Sequence, residues 1–227
     1  MFGLDNWVAG FSDGSTLLVV ALVATVLGLR HASDPDHLAA LTTLIAGTED
    51  RATKAAARLG GAWGLGHATS LFAFGVPIVL FKSYLPESVQ EGAETAVGLL
   101  IAALAVWLFI RWRRGVFHAH AHAPARVRRP AQAFGIGLVH GTGGSAGVGI
   151  LLLASIHDHA LALGALALFA FCTALSMALL STGFGRMLGA RPVRASFDRI
   201  APVLALVSLA FGAWYCLGAL DLAPYFF

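Results

Sequence analysis

The sequence predicts an all-α fold, a polytopic membrane helix bundle of six transmembrane helices. Three observations carry that expectation. Six apolar runs approach or exceed the ~20 residues needed to cross a hydrocarbon core of about 30 Å. Only 12% of the 227 residues are charged, against about 25% in soluble domains, while 58% are hydrophobic and 26 are glycine. Lys and Arg fall almost entirely in alternate connections between the runs. With a mean hydropathy of +0.78, this composition excludes ordinary soluble enzymes, disordered chains, collagen-like chains and disulfide scaffolds. The two cysteines, Cys172 and Cys216, sit in apolar runs without a Cys-x-x-Cys, and read as packing residues.

The first run, Ser15–Gly47, is too long for a simple span. As one straight helix it would reach about 50 Å, so it must tilt, protrude or break. Pro35 says where: it lacks an N–H and clashes with the carbonyl four residues back, that of His31. The second run covers Ala56–Phe81 and the third Glu94–Ile110. The fourth, Gln132–Ser155, contains His140-Gly141-Thr142-Gly143-Gly144-Ser145. Each glycine there weakens a helix by about 1 kcal/mol relative to alanine. Either a second broken helix facing the first, or close packing through small residues, explains that stretch. The fifth run is Leu161–Phe184 and the sixth Ile200–Leu220.

Thirteen of the fifteen Lys and Arg residues lie between runs 1 and 2, 3 and 4, or 5 and 6. The positive-inside rule then places those loops in the cytoplasm and both termini outside, in a bacterial-type plasma (inner) membrane. Met1–Asp13 has no Lys or Arg, so it does not read as the basic start of a signal peptide. The net charge of +3 is thereby topological, and a nucleic-acid partner is not expected. Residues 1–227 read as a single transmembrane domain. Two half-repeats, 15–112 and 131–220, flank a cytoplasmic loop at 113–130. Gly28-Leu29-Arg30-His31 resembles Gly137-Leu138-Val139-His140 at an offset of 109. Leu71-Phe72-Ala73-Phe74 recurs from Leu168 at 97, and Trp107 matches Trp214 at 107. Three spans per half make the halves opposite in orientation, the inverted-repeat arrangement of many transporters.

The chemistry concentrates in Arg30-His31-Ala32-Ser33-Asp34-Pro35-Asp36-His37. Arg30, Asp34 and Asp36 each cost about 2.5–3.5 kcal/mol at a membrane helix centre, so the cluster must face a polar interior. His31, Asp34 and His37 share one drifting helical stripe, and unwinding at Pro35 brings Asp36 round. Two imidazoles with carboxylates suit Ni²⁺, Co²⁺, Zn²⁺ or Cu²⁺ and fit Ca²⁺ or Mg²⁺ poorly. An internal ion pair of Arg30 with Asp34 or Asp36, and a proton relay, are the competing readings. His67, between glycines in the second run, and His140 in the fourth are further candidate metal ligands, with Thr142 and Ser145 as neutral oxygens. Secondary metal capture falls to His118, His120 and His122 in the basic loop, and to His157 and His159 in the short connection before the fifth run. Neither His-Glu-x-x-His nor a phosphate-binding Gly-x-x-x-x-Gly-Lys occurs, and no enzyme or resident cofactor is expected.

The span-1 segment resembles the nickel/cobalt transporter family, marked by His, four residues and Asp-His within a membrane helix. Here that pattern is His31, then Ala32 to Pro35, then Asp36-His37. Leu65-Gly66-His67 is also similar to that family, and His140-Gly-x-x-Gly-Ser145 to its compact urease-accessory nickel permease branch. The resemblance implies a secondary permease for Ni²⁺ or Co²⁺ as transported substrate, with His31, Asp36 and His37 essential and His67 important. Longer members carry additional spans and an Asp-Thr-Ala-Thr-Glu-type element that this sequence lacks. An intramembrane metal-dependent hydrolase, and a membrane partner docking a cytoplasmic metallochaperone through the histidine loop, are the rival functional classes.

Overall fold

A computed structural model describes residues 4–46, 53–82, 86–117, 129–143, 150 and 155–224, without the side chains of 4–16, 194 and 195. Among the described residues every regular element is a helix: α1 Leu4–His31, α2 Pro35–Ala46, α3 Thr53–Phe81, α4 Glu87–Arg113, α5 Pro130–His140, α6 His159–Gly189 and α7 Arg191–Ala219. Four of them, α3, α4, α6 and α7, are long and apolar enough to cross a membrane. Leu17–His31 and Pro35–Ala46 pass together as a fifth span bent by 48°. Against the six spans expected, the described residues hold four, or five with the bent pair. Within the run expected as the fourth span, the described helix is α5, whose 11 residues rise about 16 Å.

The bend falls where Pro35 put it. Proline opens α2, a position that needs no N–H donor. The chain turns tightly just before it, with Ser33 N donating to the Arg30 carbonyl (2.8 Å) and Asp34 N to that of His31 (3.1 Å). Helix α5 ends on a similar turn, where Gly141 N reaches the Gly137 carbonyl but Thr142 N reaches that of Val139. Elsewhere the helices outrun the hydropathic stretches. α4 begins at Glu87, seven residues before the expected Glu94, because hydropathy marks the lipid-immersed part while hydrogen bonding continues back to Pro86.

Large apolar side chains point outward along several helices, among them Leu18, Leu22, Leu65, Phe81, Phe171 and Val207. Such a belt needs lipid around it. Inside, α3 packs on α6 and on α5, α4 on α7, and α1 on α6. One buried cluster joins Leu41, Leu44, Leu59, Trp63, Ile101, Phe197 and Tyr215; another joins Ala24, Leu71, Val79, Leu166 and Phe169. The α4–α7 contact depends on missing side chains. A Cβ on Gly98 would stand 3.0 Å from the Gly212 carbonyl oxygen, and one on Gly212 would stand 2.9 Å from that of Gly98. Gly212→Val should therefore lower the thermal unfolding midpoint of the detergent-solubilised protein, since overpacking costs about 1–3 kcal/mol. An unchanged midpoint would show that the two helices can separate freely.

Candidate metal site

Four imidazoles and two carboxylates meet where the α1–α2 bend, the middle of α3 and the end of α5 converge. His31 is the last residue of α1, Asp34 lies in the bend, and Asp36 and His37 occupy the first turn of α2. His67 comes from α3 and His140 closes α5. His37, His67 and His140 are at most 1% exposed, and His31, Asp34 and Asp36 are also buried. The His37 ring centre lies 4.5 Å from that of His31, 4.9 Å from His67 and 4.4 Å from His140. His37 is the hub.

The carboxylates fix which ring nitrogens are available. A carboxylate only accepts, so His31 Nδ1–H donates to Asp34 Oδ2 (3.2 Å) and His37 Nδ1–H to Asp36 Oδ1 (3.1 Å). That leaves the Nε2 lone pair of each neutral ring for another partner. His31 Nε2 faces His67 Nε2 at 3.2 Å, while His37 Nε2 is buried with no hydrogen bond. A carboxylate holding the far nitrogen of a metal-binding histidine is the usual outer-shell arrangement. The nitrogen spacing also fits, because ligands about 2.0–2.1 Å from one ion lie roughly 3–3.5 Å apart. Among the described residues two groups bring donor atoms within 4.8 Å of one another: His31, His37 and His67; and Asp36, His37 and His140. Asp36 Oδ2 comes within 3.4 Å of His140 Nε2, close enough for an ion pair but without hydrogen-bond geometry.

Charge completes the description. Asp34 Oδ1 lies 3.5 Å from the guanidinium of Arg30, whose side chain is 71% exposed. With neutral imidazoles the buried carboxylates leave the cluster anionic, and a divalent cation would offset that charge. The ion-pair reading therefore accounts for Asp34 but leaves His37 Nε2, His67 Nδ1 and His140 Nδ1 buried without hydrogen bonds. Unpaired buried nitrogens of this kind are costly unless something binds them.

The other candidates fall elsewhere. His157 and His159 are exposed and belong to neither group; the residue between them, Asp158, caps α6 by accepting from Leu161 N (2.9 Å). His118, His120, His122 and Ser145 lie outside the described residues. Thr142 Oγ1 is committed to the Val139 carbonyl (2.7 Å). Residues 143–147 read Gly-x-Ser-x-Gly, but that pattern serves a nucleophile at a strand-to-helix turn, and here it follows α5. Trp63 escaped the sequence reading: its ring centre is 5.9 Å from His37 and 5.7 Å from His140, with Nε1 buried and unbonded. Its signal was its place one helical turn before His67.

Over 119 aligned residues the chain is 35% identical to the high-affinity nickel transport protein of Cupriavidus necator, covering 48% of this chain and 31% of that one. The chain is a relative of a nickel transporter. It is also 29% identical, over 94 residues, to the urease accessory protein UreH of Bacillus sp. (strain TB-90), covering 41% of this chain and 40% of that protein. The chain spans less than half the length of these curated relatives. No family model matches the chain, and no solved structure does.

Proposed function

We propose that this chain is a secondary permease that moves Ni²⁺, or Co²⁺, across the membrane through the His31–His140 cluster. One observation carries the reading: two overlapping ligand groups, buried in a membrane-type helix bundle, share His37. The ion exchanges its waters for His31, His37 and His67, then passes to Asp36, His37 and His140 while keeping one ligand throughout. Asp34 and Asp36 orient the imidazoles and compensate charge, and Arg30 holds Asp34 when no ion is bound.

The reading includes six spans with both termini outside, in an inner membrane, arranged as a 3+3 inverted repeat with spans 1 and 4 broken. Packing supports the repeat. α1 lies on α6 as α5 lies on α3. A Cβ on Gly28 would meet the Phe169 carbonyl, and one on Gly137, 109 residues later, would meet the Trp63 carbonyl, 106 residues earlier than Phe169. This pairs span 2 with span 5 at an offset of 106, not the 97 of the Leu-Phe-Ala-Phe match. One half rocking against the other then exposes the site to each side in turn.

The test is uptake into proteoliposomes of purified protein, with Ni²⁺, Co²⁺ and Zn²⁺ compared for wild type and the His31→Ala/His37→Ala double variant. Saturable flux in wild type and its loss in a folded double variant are expected, with the ranking of ions naming the substrate. Wild-type flux in the double variant overturns the mechanism, and tight, non-exchanging metal without flux points to a metal-dependent hydrolase. Deleting 118–122 should leave flux intact; loss of a metallochaperone interaction instead would identify that loop as a docking segment.

A further inference from the structure

Both helix breaks free a backbone carbonyl, and both freed carbonyls are captured by a serine from a different helix. In an unbroken α1 the Leu29 carbonyl would accept from Ser33 N, but that N–H goes to Arg30. In a continued α5 the Leu138 carbonyl would accept from Thr142 N, but that N–H goes to Val139. Ser176 of α6 donates to the Leu29 carbonyl (2.9 Å), and Ser70 of α3 to the Leu138 carbonyl (2.7 Å). Each carbonyl stands two residues before a site histidine, His31 and His140 respectively. The two bonds correspond under the offsets of 109 and 106 that relate the glycine contacts.

Helix-borne hydroxyls have an easier choice, their own helix's carbonyl three or four residues back. Thr25, Thr43, Thr69, Thr173 and Thr182 all take it. Ser70 neighbours Thr69 and Ser176 follows Thr173 by one turn, yet both reach across to a broken end. Both are buried, at 4% and 8% exposure. Left unbonded in a dry interior, the two carbonyls would favour a rearranged turn, and the histidine two residues on would move with it.

We propose that Ser70 and Ser176 are positioning residues, each pinning the end of a broken helix so that His140 and His31 are presented to the ion. Ser70 also ties the helix carrying His67 to the one carrying His140, so the two imidazoles keep their spacing. The ion-binding part of this inference rests on the permease reading; the pinning itself does not.

The experiment uses the full chain in detergent, as wild type, Ser70→Ala, Ser176→Ala and Thr69→Ala, with two readouts. The first is amide hydrogen exchange without metal. Ser70→Ala should speed exchange at residues 140–143 and leave 32–34 unchanged, Ser176→Ala should do the converse, and Thr69→Ala should do neither. The second is Co²⁺ titration followed by its visible absorption. Each serine variant should weaken binding about fivefold, the loss of one hydrogen bond, and alter the band shape, with Thr69→Ala like wild type. Faster exchange throughout α3 or α6, or no local change at either break, overturns the proposal. Exchange as expected with no Co²⁺ bound even by wild type would refute the metal reading and retain the pins.

Discussion

Replacing His37 with alanine is expected to abolish metal binding and flux together, the largest effect of any single substitution in the site. His37 belongs to both ligand groups, and its ring lies within 4.9 Å, centre to centre, of the other three imidazoles. Losing an outer-shell partner alone typically weakens a metal site 10–100-fold, so loss of the shared ligand should exceed about 100-fold. His31→Ala leaves Asp36, His37 and His140 together and should retain measurable binding. Stability in the metal-free protein is a separate readout. His37 Nε2 is buried without a hydrogen bond, a cost of about 1–3 kcal/mol in the metal-free protein that alanine removes. Alanine also opens a cavity and takes from buried Asp36 Oδ1 the N–H it accepts, so metal-free His37→Ala should melt modestly below wild type. Equilibrium dialysis with Ni²⁺ and a thermal melt decide the matter. Binding equal to His31→Ala would dissolve the shared-ligand reading, and a collapsed melt would make His37 a core residue.

Much of this site was legible in the linear sequence because its chemistry is local. Pro35 marked the bend, since a missing N–H and a ring clash act on the nearest turn whatever surrounds them. His31, Asp34, Asp36 and His37 lie within seven residues, so their meeting needed only that bend. The membrane-type composition followed from the cost of charge in lipid, which does not depend on packing. What could not be read is lateral. That His67 faces His31, and that Ser176 reaches Leu29 across 147 positions, depends on which helices lie side by side. Apolar helices without a polar face carry little of that information, because each presents similar side chains in every direction. The offset of 97 between the Leu-Phe-Ala-Phe runs shows the difficulty. Low-complexity apolar sequence can repeat by chance, and under the proposed repeat the contacts at Gly28 and Gly137 fit an offset of 106 instead. The roles of the carboxylates also needed coordinates. Sequence offered both Asp34 and Asp36 as candidate ligands, and geometry has both accepting from histidine Nδ1–H.

That geometry predicts a ranking. Asp36→Asn should weaken metal binding about 10–100-fold, and Asp34→Asn by less, near the lower end of that range. Asp36 touches two imidazoles, His37 through Oδ1 and His140 through Oδ2, and it belongs to a ligand group itself. Asparagine keeps one acceptor but turns the other atom into an NH₂ donor, so one of the two contacts becomes donor-led and the charge is lost. Asp34 accepts from His31, and Arg30 already opposes its charge from the solvent side. Without metal the order should reverse into a gain. Asp36 is 4% exposed, and removing a buried charge whose side-chain partners among the described residues are imidazoles should raise the melting temperature of Asp36→Asn above wild type. Weaker binding joined to a more stable empty protein is what a site held under electrostatic tension for its cation produces. Equal losses for the two aspartates would mean that only total charge matters and orientation does not. Loss of stability on neutralising Asp36 would mean that His37 or His140 carries a proton there, returning the cluster to a structural ion pair.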